Sequence, residues 1–260
     1  MYLWKNLDKI TTQLQNSPTR VLMLDFDGTL TPIVKSPKAA KLSRKVKNLL
    51  VKLSKKEGLY LAIISGRSLG DLKKKVNLSN IIYSGNHGLE GEILKEKYCF
   101  PISDKTLMAL KIIRKQLNQI AGQYKGVFIE DKRLILSFHY RMAEDKIPEV
   151  KSAFQRVVKP YAQDRLISII AGKMVFSVRP EVDWNKGSFA KLVINKIQMR
   201  TKTTPVSIFI GDDATDEDIF RKLEKGITVK VGKDEQSKAK YWLEDTDNVF
   251  KFLEWINAKF

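Results

Sequence analysis

Apolar positions along this chain follow two rhythms that alternate. Short unbroken runs, Val21–Asp25 (VLMLD), Leu59–Ile64 (LYLAII) and Val206–Ile210 (VSIFI), read as strands buried on both faces of a parallel sheet. Between them, apolar residues return every three or four positions. Leu42, Val46, Leu49 and Leu53 mark one amphipathic helix, and Leu7, Ile10 and Leu14 another near the start. Helices are also expected over Asp71–Val76, Lys186–Ile197, Glu217–Leu223 and around Val249–Ile256, and strands at Asn80–Tyr83 and Ile227–Val231. Strand, helix, strand in sequence predicts right-handed parallel crossovers.

The middle of the chain has another character. Leu107, Leu110, Arg114, Leu117 and Ile120 fit one helix with its apolar members facing inward, followed by a hairpin of Val127–Ile129 and Leu134–Tyr140. A second helix near Val150–Tyr161 and strands at Leu166–Ile170 and Met174–Arg179 complete an α+β unit. The expected fold class is therefore α/β, a Rossmann-like parallel sheet over residues 1–100 and 181–260 with an α+β unit inserted over 101–180.

Composition narrows the possible functions. With 47 Lys+Arg against 29 Asp+Glu the net charge is +18, a field that draws in small anions and polyanions alike. Most lysines sit between apolar positions of helical period, as in KAAKLSRKVKNLLVKLSKK, and so form solvated faces. Without zinc-finger spacing, a glycine-aromatic RNA signature or a basic zipper, a nucleic-acid partner is not expected. Membrane insertion is not expected either, because no run approaches the roughly 18 apolar residues of a spanning helix. Cys99 has no second cysteine to pair with, which suits the cytoplasm.

The candidate chemistry lies at strand ends. Asp25-Phe26-Asp27-Gly28-Thr29-Leu30 follows the first run, at the sheet edge where open α/β folds bind ligands. A carboxylate nucleophile there splits a hard hydrolysis into two easier displacements. It must also approach an anionic ester, and like unit charges about 4 Å apart repel by about 4 kcal/mol at an effective dielectric near 20. Cations must therefore share the site. Gly211-Asp212-Asp213-Ala214-Thr215-Asp216-Glu217 after Val206–Ile210 offers hard oxygens suited to Mg²⁺, and Lys186 heads a helix. Ser65-Gly66-Arg67 after the second run offers a hydroxyl and backbone N–H groups to a phosphate. Each motif alone has an ordinary reading as a turn, a cap or a helix-dipole partner. Their combination in one order does not.

In that order, DFDGTL, SGR, NKG and GDDATDED resemble the haloacid dehalogenase (HAD) superfamily of phosphohydrolases. Together with Gly85-Asn86-His87-Gly88-Leu89-Glu90, Ser137-Phe138-His139-Tyr140-Arg141, Gly172-Lys173-Met174-Val175 and Arg179-Pro180, they resemble the trehalose-6-phosphate phosphatases more narrowly. The resemblance implies a HAD core closed by a cap, and an Mg²⁺-dependent hydrolysis of trehalose 6-phosphate through an aspartyl-phosphate. It implies Asp25 as nucleophile, Asp27 as acid and base, and Ser65 and Lys186 on the phosphoryl group. Metal ligands are expected from Asp25, the Asp27 carbonyl and Asp212, with Asp213 and Asp216 orienting them. Gly66, Arg67, Asn86, His87, Glu90, Arg141, Lys173 and Arg179 are the implied substrate contacts.

One position departs from the family pattern. Where the family carries an acidic residue two places before Arg-Pro, this chain has Ser177, with Glu130 and Glu181 as possible substitutes. Trehalose 6-phosphate thus stands beside other glycosyl phosphates, of sucrose or mannosylglycerate type. A non-catalytic sugar-phosphate binder is the reading from a different class.

Overall fold

The computed structural model describes residues 1–34, 37–172 and 174–260, so Lys173 lies outside the described residues. In chain order the elements are α1 (Leu7–Gln15), β1 (Arg20–Leu24), α2 (Arg44–Leu53), β2 (Leu59–Ile64), α3 (Leu69–Val76) and β3 (Ile82–Gly85). They continue with β4 (Glu90–Ile93), β5 (Glu96–Cys99), α4 (Asp104–Gln123), β6 (Phe128–Asp131), β7 (Leu136–His139), α5 (Ile147–Gln163), β8 (Ile167–Gly172) and β9 (Val175–Pro180). The last are α6 (Lys186–Thr201), β10 (Val206–Gly211), α7 (Glu217–Lys222), β11 (Ile227–Val231), β12 (Tyr241–Leu243) and α8 (Thr246–Lys259). The chain divides into two compact units, Met1–Cys99 with Trp184–Phe260, and Phe100–Asp183.

The first unit is built on one sheet ordered β12-β11-β10-β1-β2-β3-β4-β5. From β12 through β3 all neighbours are parallel, and β4 and β5 add an antiparallel edge. The alternation of side chains explains why these strands read as solid apolar runs. Leu22 and Leu24 enter one buried cluster with Ile10, Leu50, Leu72 and Phe252, while Val21 and Met23 enter another with Phe189, Val193 and Phe220. Helices thus cover both faces. From β1 the chain proceeds to β2 and β3 on one side, and later from β10 to β11 and β12 on the other. The order reverses between β1 and β10, and the crevice beyond the carboxyl ends of those strands is where such sheets take ligands.

Three strands were invisible in the hydrophobic pattern. The β4–β5 hairpin, Glu-Gly-Glu-Ile against Glu-Lys-Tyr-Cys, has little apolar alternation. Its turn residues Leu94 (φ 52°) and Lys95 (φ 73°) take the left-handed conformation without the Asn or Gly that normally announces it. β12 is a three-residue strand paired to Val229–Val231.

The second unit carries a four-stranded antiparallel sheet, ordered β6-β7-β9-β8. Leu110, Ile113 and Leu117 of α4 and Phe154 of α5 pack with Leu136, Phe138 and Val178. Leu107, expected on the inner face of α4, is 41% exposed; Leu110 is buried as expected, with Thr106 and Ala109 buried beside it. On the other strand face, Glu130, Ser137 and Ser177 stand in one cross-strand row. No helix among the described residues is long and apolar enough to cross a membrane.

Candidate active site

Asp25 follows β1 directly, and its N–H continues the ladder to Ile210 of β10 at 2.9 Å, so the strand delivers this carboxylate to the switch point. The chain then turns through Gly28, whose φ of +81° favours glycine and whose N–H bonds the Thr31 carbonyl at 2.7 Å. A Cβ on Gly28 would come within about 2.0 Å of Asp212 Oδ2, so the two loops meet this closely only because residue 28 has no side chain. Asp25, Asp212 and Asp216 each offer a carboxylate oxygen, and those oxygens lie within 4.8 Å of one another. The strand ends thus bring together groups nearly two hundred residues apart.

Lys186 opens α6 and is 1% exposed. Its Nζ donates to Asp25 Oδ1 and Asp216 Oδ1, both at 2.8 Å, with Asp213 Oδ1 at 3.8 Å. The other oxygen of Asp216 accepts the N–H groups of Asp212 (2.9 Å) and Asp213 (3.1 Å). Asp213 caps the turn through Ala214–Asp216, accepting from Thr215 N at 2.8 Å and Asp216 N at 3.1 Å. Asp216 therefore serves as a strut between the lysine and the acidic loop, and Asp213 holds that loop's turn.

The electrostatics follow from burial. Desolvation pushes Asp25 well above the usual carboxylate range against the pull of Lys186, and Asp216 is raised for the same reason. Lys186, although buried, is held charged by Asp216 and Asp25. Asp212 is pushed up to about 7, first by burial and then by Asp213 and Asp216. Among the described residues Lys186 is the ammonium bonded to Asp25 and Asp216, and burial still holds three of the packed carboxylates above their usual range.

The same cluster is also the test of a metal site. Asp212 Oδ1 is buried and has no hydrogen-bond partner, the donors are hard oxygens, and Gly28 keeps the space beside Asp212 clear. The residues fit a small divalent cation. Asp25 and Asp212 are placed to ligate it, while both oxygens of Asp216 are already engaged.

A pH dependence follows. A carboxyl whose folded pKa lies above its unfolded value stabilises the fold below the unfolded value, 3.8, and loses that contribution as pH rises through about 7. The cation-free protein is therefore expected to lose stability between about pH 4 and 7. A divalent cation such as Mg²⁺, if it occupies this cluster, should restore more at pH 8 than at pH 5, because it would compete with the proton for the same oxygens. Thermal unfolding in EDTA and in Mg²⁺ at the two pH values measures this; an equal Mg²⁺ effect at both counts against the assignment.

The remaining predicted residues fall into three groups. Ser65 is buried at the end of β2, and its Oγ accepts the Arg67 N–H at 3.2 Å. No helix opens at Ser65 itself: α3 begins at Leu69, two residues before the expected Asp71, and is capped by Ser68. Gly66 lies against the His87 ring, which a Cβ there would meet at about 2.5 Å. His87 itself sits in the left-handed region (φ 55°, ψ 34°).

Arg67 turns its guanidinium inward rather than presenting it to solvent. Nε and one terminal nitrogen fork the two oxygens of Asp27, both at 2.6 Å, and the other terminal nitrogen bonds Asp71 at 2.8 Å. Asn86 and Glu90, expected as substrate contacts, brace the loop. Asn86 is fully buried and donates to Glu90 Oε1 at 2.7 Å, and the same oxygen accepts Leu69 N at 2.8 Å.

Arg141 and Arg179 belong to the second unit, the first exposed after β7 and the second half-buried in β9. Sequence reasoning missed the Arg67–Asp27 fork, since nothing local announces a partner forty positions away. It also passed over Lys230, although a lysine inside the buried run Ile-Thr-Val-Lys-Val was a visible signal.

A buried carboxylate bonded to a fixed ammonium, beside an acidic cluster that could hold a cation at the switch point of a parallel sheet, fits the haloacid dehalogenase class of phosphohydrolases. Within that superfamily the chain belongs to the trehalose-phosphatase family, whose sequence model matches residues 23–247. It is 31% identical over 249 residues to the probable trehalose-phosphate phosphatase E of Arabidopsis thaliana, covering 90% of this chain and 69% of that one. It is 34% identical over 203 residues to the trehalose-phosphate phosphatase of Mycobacterium tuberculosis, covering 76% of this chain and half of that protein. Among solved structures, the C-terminal domain of Candida albicans trehalose-6-phosphate phosphatase superposes with a TM-score of 0.80 at 25% identity, covering 97% of each chain.

Proposed function

We propose that this chain hydrolyses trehalose 6-phosphate to trehalose and inorganic phosphate, with Mg²⁺ as its cofactor and the second unit as its cap. One observation carries the chemistry: Lys186 Nζ bonds Asp25 Oδ1 at 2.8 Å within a cluster where Asp25, Asp212 and Asp216 bring carboxylate oxygens within 4.8 Å of one another. Asp25 Oδ2 attacks phosphorus, and the P–O bond to the sugar breaks as Asp27 gives a proton to the departing oxygen. Water then attacks the aspartyl-phosphate, losing a proton to Asp27 and regenerating Asp25. For Asp27 to deliver its proton, one arm of the Arg67 fork must open. Asp25, the Asp27 carbonyl and Asp212 would hold Mg²⁺, which when bound would supply the charge that lets two anions meet. Ser65 and Lys186 are proposed to hold the phosphoryl oxygens, with Gly66 N–H and His87 at its rim. Asp213 and Asp216 keep the acidic loop in place.

Sugar selection is assigned to the second unit, through Arg141, Lys173 and Arg179. Ser177 favours a second reading, another glycosyl phosphate, because its hydroxyl lies 3.3 Å from that of Ser137 where the family has a carboxylate. Glu130, opposite Ser137 and 3.4 Å from His139 Nε2, supplies an acceptor in the same row. The cytoplasm is the proposed compartment, supported by the single cysteine.

Phosphate release from a panel of sugar phosphates, with and without Mg²⁺, tests these readings. Trehalose 6-phosphate should be preferred over glucose 6-phosphate by at least about 100-fold in kcat/KM, the discrimination that hydrogen-bonding sites achieve. The preference should shrink in Glu130→Gln. Comparable turnover of both esters would sink the trehalose assignment, and binding without turnover would point to a non-catalytic binder.

A further inference from the structure

Lys230 is a buried charge that the mechanism above leaves unused. It is 8% exposed in a strand whose five residues are all buried, and an ammonium in such a place is unfavourable unless partnered. Its partners belong to the loop that carries Asp212 and to the head of α7 that follows it. Nζ lies 2.7 Å from the Asp212 carbonyl oxygen, 3.4 Å from that of Asp213 and 3.9 Å from the Glu217 carboxylate. Glu217 in turn accepts Ser237 Oγ at 2.7 Å and Lys238 N at 2.8 Å, tying the loop after β11 to the head of α7. The parallel register sets Lys230 opposite Gly211, one residue before Asp212.

Asp212 is therefore gripped at both ends of its backbone. Its N–H donates to Asp216 Oδ2, and its carbonyl accepts from Lys230. The carboxylate has no such help: Oδ1 is buried without a partner. A side chain without hydrogen bonds to aim it takes its direction from the backbone that carries it.

We propose that Lys230 is a positioning residue for the cation site: by holding the Asp212 carbonyl it directs the Asp212 carboxylate toward Asp25 and so sets the affinity for Mg²⁺. The inference rests on the cation site proposed above. It makes a prediction opposite to simple electrostatics. Deleting a nearby positive charge should by itself tighten cation binding, whereas losing the grip on Asp212 should weaken it.

The test is thermal unfolding across an Mg²⁺ titration for wild type, Lys230→Met and Lys230→Arg, with steady-state kinetics at low and saturating Mg²⁺. The Mg²⁺ concentration at half-effect should rise about 10- to 100-fold in Lys230→Met, the usual cost of losing a group that orients a metal ligand. Lys230→Arg should stay close to wild type, and kcat of Lys230→Met should recover at saturating Mg²⁺. An unchanged or lowered half-effect concentration in Lys230→Met overturns the proposal. If that variant does not fold, Lys230→Gln, which keeps one donor, should show a smaller rise, and no rise overturns the proposal equally. A wild type that shows no stabilisation by Mg²⁺ removes the cation site itself, and the role of Lys230 with it.

Discussion

Replacing Asp25 with Asn lowers turnover by at least about 10⁴-fold, the scale seen when a covalent nucleophile is removed, while the protein stays folded. An amide oxygen keeps the size and one acceptor of the carboxylate but cannot form the acyl-phosphate. The fold tolerates the change because burial already disfavours the ionised form of Asp25, and because Lys186 retains Asp216 at 2.8 Å. The unfolding temperature should remain within about 4 °C of wild type, equivalent to about 1 kcal/mol in a protein of this size. Phosphate release and a melting curve on the same preparation decide the matter. Residual turnover within about 100-fold of wild type, in a properly folded variant, would remove Asp25 from the role of nucleophile.

Lys186→Met should be the most damaging single change to stability as well as to catalysis. The thioether matches the length of the lysine stem but leaves the carboxylates of Asp25 and Asp216 buried with no cation between them. Breaking a buried pair by removing one partner costs about 3–5 kcal/mol, a large share of a typical stability. The sign of the pH dependence is fixed. Lys186 holds its proton more tightly when folded, so its stabilisation is fully present below 10.5 and is lost only as pH climbs through its raised folded value. The carboxylates have folded values above 3.8, so acid lets them take up protons and relieves the variant. The deficit measured by denaturant unfolding should therefore be larger at pH 8 than at pH 5. A variant within about 1 kcal/mol of wild type at pH 8 would mean that Lys186 is not the counter-charge of this cluster.

The sequence by itself determined the parallel core of the sheet and the strand ends and helix start that carry its acidic and basic candidates. Runs such as VLMLD and LYLAII can be buried on both faces only in a covered parallel sheet, so β2 matches its expected bounds and β1 is displaced by one residue. Asp25, Lys186 and Asp212 were legible because each follows an apolar strand or opens a helix, at the end where such folds place chemistry. The mutual support of the loop residues was not. Nothing local in the sequence announces that Asn86 and Glu90 bond each other, and only the fold brings out that hydrogen bond and the buried position of Asn86.

The Arg67 fork on Asp27, the unpartnered Oδ1 of Asp212 and the hold of Lys230 on that loop were likewise decided by tertiary structure. The physical reason is range. Strand and helix patterns are set by neighbours a few positions away, and the chain carries them openly. The balance of buried charge is set by groups from β1, α6, β10 and β11 that meet only when the sheet closes, and no local pattern records that sum.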